Sequence, residues 1–317
     1  MAASLEIPLI DISPFLDDSA SHASRDAVVD QVRNACMTYG FFQLEGHGVP
    51  VHLQEAMLEC AKTFFDLPLE KKTAVGMDKA MGKSNRGYEV IGGQTLQPDT
   101  LPDLKEGFYI GEEMSPDNPK AGSFLRGPNL WPDLPEEKFR QPINEYYQHM
   151  LTLDHLILKV ITSGMPYAPE ILAEFTTDPN ATLRLLHYPP QKSKDARQLG
   201  AGAHTDFGCI TLLLQQPDQT GLQVLYPPTN SWIPVPAVAN RFVVNVGDLL
   251  YGWTKGEYRS AVHRVINNGP QHRYSVPFFY TGNLSFKLRP LDGSEDANGI
   301  TVEQHVMARY NTTYAVK

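Results

Sequence analysis

The sequence predicts a mainly β core with flanking helices, arranged as a β-sandwich or jelly roll. Between Thr182 and Tyr280, short apolar segments of strand length alternate with turns rich in Pro, Gly and Asn. Longer segments on either side carry apolar residues at helical spacing. The chain has 317 residues, 42% hydrophobic and 20% charged, which suffices for a large buried core.

The N-terminal region predicts strands and helices in alternation. Residues 7–12 and 41–44 are short and apolar, as expected of strands. Residues 23–39 are apolar near helical spacing and precede Gly40, a frequent helix stop, and residues 53–65 predict a second amphipathic helix. Residues 76–129 are rich in Gly, Pro, Asp and Asn and predict a long irregular segment, which in compact proteins is usually functional or disordered.

The rest of the chain predicts the longest helix, the core strands and a terminal helix. Residues 136–163 form that long helix, with Pro142 near its first turn and an apolar stripe packed on the core. Residues 300–311 predict the terminal helix, which we expect to cover the open end of the core. The predicted strands occupy residues 182–187, 210–215, 223–225, 231–235, 242–246 and 273–280.

Composition and charge narrow the functional classes. The net charge of −9 argues against non-specific nucleic-acid binding. No apolar run approaches a transmembrane span, and the first residues lack a signal-peptide pattern. Cys36, Cys60 and Cys209 do not suggest a disulfide framework. We therefore expect a cytoplasmic monomer that binds a small molecule, without nucleic-acid or membrane partners.

Two imidazoles and one carboxylate form the candidate metal site. His204 and Asp206 are two residues apart, and residues at this spacing share one face of a strand. A third ligand from a neighbouring strand would give the two-His, one-carboxylate face of non-haem Fe(II) oxygenases, with open coordination positions. His263 is the preferred third ligand because it lies in an alternating segment, residues 258–267, that ends at a turn at residues 267–270.

A candidate anion site follows in the next predicted strand. Arg273 and Ser275 also share a strand face, and a guanidinium beside a hydroxyl is well matched to a carboxylate. Near an Fe(II) site, this pair suggests a dicarboxylate that chelates the metal at one end and pairs with arginine at the other. A lone H-x-D or a lone arginine is common on solvated surfaces, so the prediction depends on their conjunction on strand-like segments.

Several motifs resemble those of one enzyme family. HTDFGCITLLLQQ, GLQV, RFVVNVGDLLYGWTKGEYRSAVHRV and RYSVPFFY resemble the catalytic half of the iron(II)/2-oxoglutarate-dependent dioxygenases, in particular the isopenicillin N synthase-like branch. IPLIDISPF, YGFFQLEGHGVP and AKTFFDLPLEKK resemble the N-terminal region of that branch, so the resemblance covers nearly the whole chain. It implies a double-stranded β-helix (jelly roll) core at residues 131–317 and an N-terminal region at residues 1–130 with a long loop bordering the substrate, packed as one unit.

The resemblance also implies cofactors and residue roles. Residues at the positions of His204, Asp206 and His263 bind Fe²⁺ in that family. Those at Arg273 and Ser275 bind the far carboxylate of 2-oxoglutarate. The implied reaction consumes 2-oxoglutarate and O₂, releases succinate and CO₂, and hydroxylates, desaturates or rearranges a small molecule, such as a secondary metabolite, through a ferryl intermediate.

The resemblance also implies contacts to the cosubstrate and to the substrate. A tyrosine matching Tyr188 often helps to bind 2-oxoglutarate, but Leu186 stands where many relatives have an asparagine. The family's irregular N-terminal segments often border the substrate, and an aromatic pocket would suit a small hydrophobic molecule. The expected substrate contacts are Arg86, Phe108, Tyr109, Phe207 and Phe279.

Three alternatives remain open from the residues alone. An oxidase like isopenicillin N synthase, or the plant ethylene-forming oxidase, keeps the same triad but uses no 2-oxoglutarate, and its R-x-S pair would hold a substrate carboxylate. A jelly-roll binding protein would retain the pocket without catalysis. A zinc hydrolase fits the ligands but leaves Arg273 and Ser275 without a role.

Overall fold

Strands from both halves of the chain build the core. The computed structural model describes residues 5–168, 170–267, 269–294 and 299–314, and within them the strands form an eight-stranded and a four-stranded sheet. The larger sheet contains β1 (Leu9–Asp11), β2 (Phe41–Glu45), β3 (Gly87–Glu89), β4 (Glu106–Gly111), β5 (Asn180–Tyr188), β7 (Ile210–Gln215), β10 (Phe242–Val246) and β12 (Arg273–Gly282). The smaller sheet contains β6 (Ala201–His204), β8 (Leu222–Tyr226), β9 (Ser231–Pro234) and β11 (His263–Val265).

The predicted fold class is confirmed. Strands in the larger sheet follow the order β1-β2-β10-β7-β12-β5-β4-β3, and those in the smaller sheet the order β6-β11-β8-β9. Neighbouring strands are antiparallel apart from β1 and β2. The expected strands at 210–215 and 242–246 have the predicted bounds. Within the alternating segment 258–267, the strand is limited to β11, and Asn268, in the turn that follows, lies outside the described residues.

The N-terminal strands extend both ends of the larger sheet. β1 and β2 pair onto β10, and β4 pairs onto β5 with β3 outside it. The expectation that residues 76–129 are irregular is therefore wrong for β3 and β4. Every residue of β4 is buried, but its charged start and two glycines hide the strand pattern in the sequence.

Helices cover one face of the larger sheet. Those described are α1 (His22–Thr38), α2 (Val51–Phe65), α3 (Leu69–Thr73), α4 (Arg140–Ser163), α5 (Asp248–Trp253) and α6 (Val302–Tyr314). α1, α2 and α4 contact the larger sheet. α4 begins after a short turn at Glu136–Lys138, with Pro142 in its first turn as predicted. α3 and α5 were not predicted, because five and six residues are too few to show a helical period.

Side-chain alternation along β5 separates the core from the site. Leu183 and Leu185 join the apolar cluster beneath the helices. Leu186 and Tyr188 point to the other face, where they line a cavity between the sheets. Among the described helices, none combines the length and the apolar character that crossing a bilayer would require.

Candidate metal centre and its two cavities

The structure brings His204, Asp206 and His263 together. His204 ends β6, and its Cα is paired with that of His263 across the antiparallel β6–β11 ladder, as predicted for a neighbouring strand. The Nε2 atoms of His204 and His263 lie 3.8 and 3.7 Å from Asp206 Oδ1. One possible ligand atom from each residue lies within 4.8 Å of the others. These distances allow all three side chains to share one ion.

The structural element that carries Asp206 differs from the prediction. β6 ends at His204, so Asp206 is in the following loop and not on the same strand. The loop is held by backbone bonds, since the amide of Asp248 donates to the carbonyl of Asp206 over 2.8 Å. The strand spacing of two was therefore the wrong reason for a correct juxtaposition.

Hydrogen bonds leave one free ligand atom on each of the three side chains. His204 Nδ1 donates to the carbonyl of Gly202 (2.7 Å), and His263 Nδ1 donates to that of Ala261 (3.1 Å). Each Nε2 is thereby turned towards Asp206 with its lone pair available, because the proton of a neutral imidazole then lies on Nδ1.

Thr211 and Asn245 orient the carboxylate. Thr211 Oγ1 and Asn245 Nδ2 donate to Asp206 Oδ2 over 2.6 and 2.8 Å, which leaves Oδ1 facing the imidazoles. These two residues are paired across β7 and β10. Sequence reasoning missed them, although each is a polar residue inside an apolar strand, which is a usable signal of a polar partner.

The pKa shifts favour the metal-binding protonation state. Burial, followed by repulsion from His263, lowers the pKa of His204 to about 3. Burial alone would raise the pKa of Asp206, but His263, His204 and the bonds from Thr211 and Asn245 hold it below its usual value. His204 is therefore neutral and Asp206 ionised at neutral pH, as a metal ligand set requires. Two imidazoles and one carboxylate, with space on the open side, fit Fe(II).

The first cavity contains the predicted carboxylate-binding residues. It has about 570 Å³ of empty space, part of it open to solvent, and joins the metal ligands to Arg273, Ser275 and Tyr188. Arg273 and Ser275 lie on one face of β12, as predicted. The Tyr188 ring lies 4.8 Å from the Arg273 guanidinium carbon. We refer to this space as the first cavity.

Arg273 is a buried cation with unused donors. It is 1% exposed, and Nη2 donates to Gln215 Oε1 over 3.2 Å. Within the described part of the chain, its Nε and Nη1 have no hydrogen-bond partner and no carboxylate forms an ion pair with it. Burial lowers the pKa of Arg273, although a guanidinium stays protonated. A buried unpaired cation is costly, so this site fits an anionic ligand.

A second cavity borders two of the candidate metal ligands, His204 and Asp206. It has about 590 Å³ of empty space and is lined by Phe207, Phe279, Thr182, Thr281, Val306 and Tyr310, among others. His204, Asp206, Leu96, Arg184 and Phe279 line both cavities. The predicted terminal helix is present as α6 and covers this second cavity through Val306 and Tyr310.

The expected substrate contacts divide into two groups. Phe207 and Phe279 line the second cavity. Phe108 instead packs in the core, 4.3 Å from Phe64 between ring centroids, because alternation along β4 turns it towards the helices. Arg86 is 1% exposed and donates to the carbonyls of Ser84 and Leu125, away from both cavities. The structure therefore corrects the expectation for Phe108 and Arg86.

Tyr109 lies one layer behind the cavity wall. Its hydroxyl donates to Glu89 Oε2 over 3.0 Å, and the same oxygen accepts from Arg184 Nη2 over 3.0 Å. The Arg184 guanidinium stacks on the Tyr109 ring at 4.0 Å. Tyr109 thus supports Arg184, which lines both cavities and was missed because it lies inside an apolar strand far from the motifs. Lys105, in the first cavity, precedes β4 in the segment predicted to be irregular, and sequence reasoning did not select it.

Comparison with known proteins agrees with this site. Residues 7–134 match the family model described as non-haem dioxygenase in morphine synthesis N-terminal. Residues 179–282, which contain the candidate metal ligands together with Tyr188, Arg273 and Ser275, match the 2OG-Fe(II) oxygenase superfamily.

Similar proteins extend the match to nearly the whole chain. The 2-oxoglutarate-dependent dioxygenase tropC of Talaromyces stipitatus is 48% identical over 96% of this chain and 94% of its own. Clavatol oxidase claD of Penicillium crustosum is 42% identical over 99% of this chain and 98% of its own. The crystal structure of a full-length Neurospora crassa protein in complex with alpha-KG and thymine has a TM-score of 0.83 and 29% identity, with 98% of each chain covered.

These matches decide between the alternatives. Relatives named 2-oxoglutarate-dependent dioxygenases favour an enzyme over a binding protein, a zinc hydrolase or an oxidase that uses no 2-oxoglutarate. The resemblance found in the sequence is confirmed. The chain therefore belongs to the 2-oxoglutarate- and iron(II)-dependent dioxygenases, oxidoreductases that use Fe²⁺, 2-oxoglutarate and O₂.

Proposed function

We propose that His204, Asp206 and His263 bind Fe²⁺, and that Arg273, Ser275 and Tyr188 bind the far carboxylate of 2-oxoglutarate in the first cavity. One observation carries the second assignment. Arg273 is a buried guanidinium with two unpartnered nitrogens among the described residues, and it opens into the same cavity as the three metal ligands. A dicarboxylate that reaches both would satisfy this cation through charge-assisted hydrogen bonds.

The protein's own residues prepare the reaction without taking part in redox chemistry. Bound Fe²⁺, with 2-oxoglutarate and O₂, supplies the oxidising power that removes hydrogen from a substrate C–H bond while 2-oxoglutarate becomes succinate and CO₂. Thr211 and Asn245 fix the orientation of Asp206, so that one carboxylate oxygen faces the imidazoles. Phe207 and Phe279 orient the substrate and exclude water from its side of the site.

The substrate class follows from the second cavity. We propose a small molecule with a ring and several oxygen substituents, such as a secondary metabolite. Aromatic side chains of Phe207 and Phe279 suit a ring, whereas the threonines and Arg184 offer polar contacts. Thr182 Oγ1 is buried without a partner among the described residues, so it is available to a substrate oxygen. Hydroxylation, desaturation and ring rearrangement are all compatible with this arrangement.

Similar proteins support this substrate class by their names. One is a clavatol oxidase, and another is a structure that contains thymine together with alpha-KG. We also propose that the enzyme works as a cytoplasmic monomer on free small molecules rather than on nucleic acid or at a membrane. The net charge of −9 and the three buried, unlinked cysteines support this.

The first test uses Arg273→Ala with Arg264→Ala as its matched control. Arg264 lies beside His263 in β11 but stacks on Trp232 and lines neither cavity. We expect Arg273→Ala to raise the 2-oxoglutarate concentration needed for half-maximal turnover by roughly a hundredfold, because charge-assisted bonds are lost. Arg264→Ala should change it by less than about threefold. An unchanged requirement in Arg273→Ala, or product formed without succinate, would contradict the proposal.

A further inference from the structure

A buried ammonium lines the first cavity. The side chain of Lys105, the residue before β4, is 4% exposed and lines this cavity together with His204 and Tyr188. Two residues later, Gly107 is paired with Leu186, which also lines the cavity. Strand alternation therefore places Lys105 and Leu186 on the same face of the sheet.

One carboxylate partly compensates this charge. Lys105 Nζ is paired with Asp103 Oδ2, and Asp103 Oδ1 accepts from the amide of Gly202 over 2.9 Å. Within the described part of the chain, Asp103 Oδ2 is the acceptor that this ammonium contacts. An ammonium has three donors, so Lys105 retains capacity for a second anionic partner.

Other donors near the metal are already engaged. Thr211 and Asn245 donate to Asp206. Arg184 is paired with Glu89 and lines both cavities, whereas Lys105 lines the first alone. Leu186 offers the ligand no donor.

The charges around the first cavity are consistent with a second anionic partner for Lys105. Lys105 and Arg273 bring two positive charges to this region, and Asp103 and Asp206 bring two negative charges. The charge of a bound Fe²⁺ would therefore remain for the two carboxylates of the cosubstrate. Lys105 and His204 line the same cavity. A carboxylate next to the metal would therefore lie within the influence of Lys105.

We propose that Lys105 binds the keto-acid carboxylate of 2-oxoglutarate, at the metal-chelating end, while Arg273 binds the carboxylate at the other end. This inference rests on the proposed function of the first cavity. Lys105 is then a positioning residue that fixes which way round the cosubstrate lies. Cations of different kind bind the two ends, since an ammonium acts as a point charge and a guanidinium as a planar fork.

The test measures binding and not turnover. Protein loaded with Mn²⁺, in place of Fe²⁺, is titrated calorimetrically with 2-oxoglutarate. We expect Lys105→Met to raise the Kd for 2-oxoglutarate by roughly tenfold to a hundredfold, because one charge-assisted bond is lost. Lys105→Arg, which keeps the charge, should recover part of this loss. An unchanged Kd in Lys105→Met would overturn the proposal.

Two shorter ligands separate a direct contact from a structural effect. 2-Oxobutyrate keeps the keto-acid end and lacks the far carboxylate, whereas succinate semialdehyde lacks the keto-acid carboxylate. Lys105→Met should raise the Kd values for 2-oxobutyrate and 2-oxoglutarate by similar factors. The Kd for succinate semialdehyde should change by less than about twofold. Arg273→Met should show the reverse pattern. If Lys105→Met weakens all three ligands equally, Lys105 acts through the fold and the proposal is wrong.

Asp103→Asn is the matched control, because it breaks the same ion pair but keeps the ammonium. The Kd of this variant for 2-oxoglutarate should equal that of the unmodified protein or be lower. A rise in Kd as large as that in Lys105→Met would count against the proposal. Thermal melting and Mn²⁺ affinity check that each variant folds, and Lys105→Gln takes the place of Lys105→Met should the latter fail to fold. Metal-dependent 2-oxoglutarate binding that Arg273→Met weakens would uphold the proposed function whatever Lys105 does.

Discussion

The two cavities beside the candidate metal ligands share several lining residues but differ in the elements that complete their walls. The first is walled mainly by strands of both sheets, with Tyr188 on β5, Leu222 on β8 and Arg273 on β12. Loops and a terminal helix contribute much of the second, through Gln94, Phe207 and α6. Strand walls are fixed by hydrogen bonds on both sides, whereas loops and terminal helices open at lower free energy. The comparison predicts that the first cavity is the more rigid of the two and the second the more adjustable.

Removing a proposed metal ligand should disable both cavities at once, since His204 and Asp206 line both of them. We expect His263→Ala to lose stoichiometric iron and to lower turnover by roughly a thousandfold or more. Metal analysis and product formation measure the two effects. His52→Ala, on the exposed face of α2, serves as the control. Full iron content together with full turnover in His263→Ala would remove the basis for comparing the cavities.

Thr211→Val tests the strands around the metal site without replacing any of the three proposed metal ligands. Loss of the bond to Asp206 Oδ2 should weaken metal binding by roughly tenfold to a hundredfold. That bond helps to lower the pKa of Asp206, so the pKa should rise in the variant, and protons should compete with the metal at a higher pH than before. Mn²⁺ titrations should therefore show a larger loss of metal affinity, relative to the unmodified protein, at about pH 5.5 than at about pH 8. A loss that does not depend on pH would contradict this role for Thr211.

Phe207→Ala and Leu222→Ala form a reciprocal pair that tests the separation of the cavities. Phe207 lines the second cavity and Leu222 the first. We expect Phe207→Ala to raise the KM for the organic substrate by roughly tenfold through lost apolar contact, with the Kd for 2-oxoglutarate within twofold. Leu222→Ala should show the opposite pattern. Equal effects on both ligands in both variants would mean that the cavities act as one.

Arg309→Met tests the mobility of the helical cover and should have the smallest effect. Arg309 Nη2 donates to Thr205 Oγ1 over 3.0 Å, and its Nε lies 3.4 Å from Asp248 Oδ2 in a partly exposed ion pair. Such pairs contribute little, so we expect a KM for the substrate only about two- to fourfold higher. Hydrogen exchange should be faster in α6 and unchanged in β12. Faster exchange in β12 would show that the cover also supports the first cavity.

The same contrast explains how much of the site could be predicted. Residues of the first cavity, such as His263 and Arg273, lie in strands whose alternation is visible in the sequence. Gln94 and Tyr310 of the second cavity come from a loop and the terminal helix, and no local pattern connects them with each other or with Arg184, which lines both cavities from β5. Their aromatic character made Phe108 and Phe207 equally good candidates for substrate contacts, but alternation along β4 buries Phe108 in the core.

The fold was predictable for a related reason. β7 and β10 are mainly apolar segments bounded by turn residues, and they appear with the predicted bounds. β4 was missed because its place in the sheet depends on pairing with β5, which is about seventy residues later in the chain. Asp206 shows that motif spacing can identify the right side chains while a loop, not a strand, delivers one of them.

The pairing of β2 with β10 and of β4 with β5 has a consequence for any attempt to shorten the protein. Without residues 1–130, β10 and β5 would become open sheet margins, and every residue of both strands is buried in the intact molecule. Long apolar margins recruit other chains and aggregate. The half that bears the chemistry therefore depends on the other half for solubility, and a catalytic fragment alone should precipitate rather than fold.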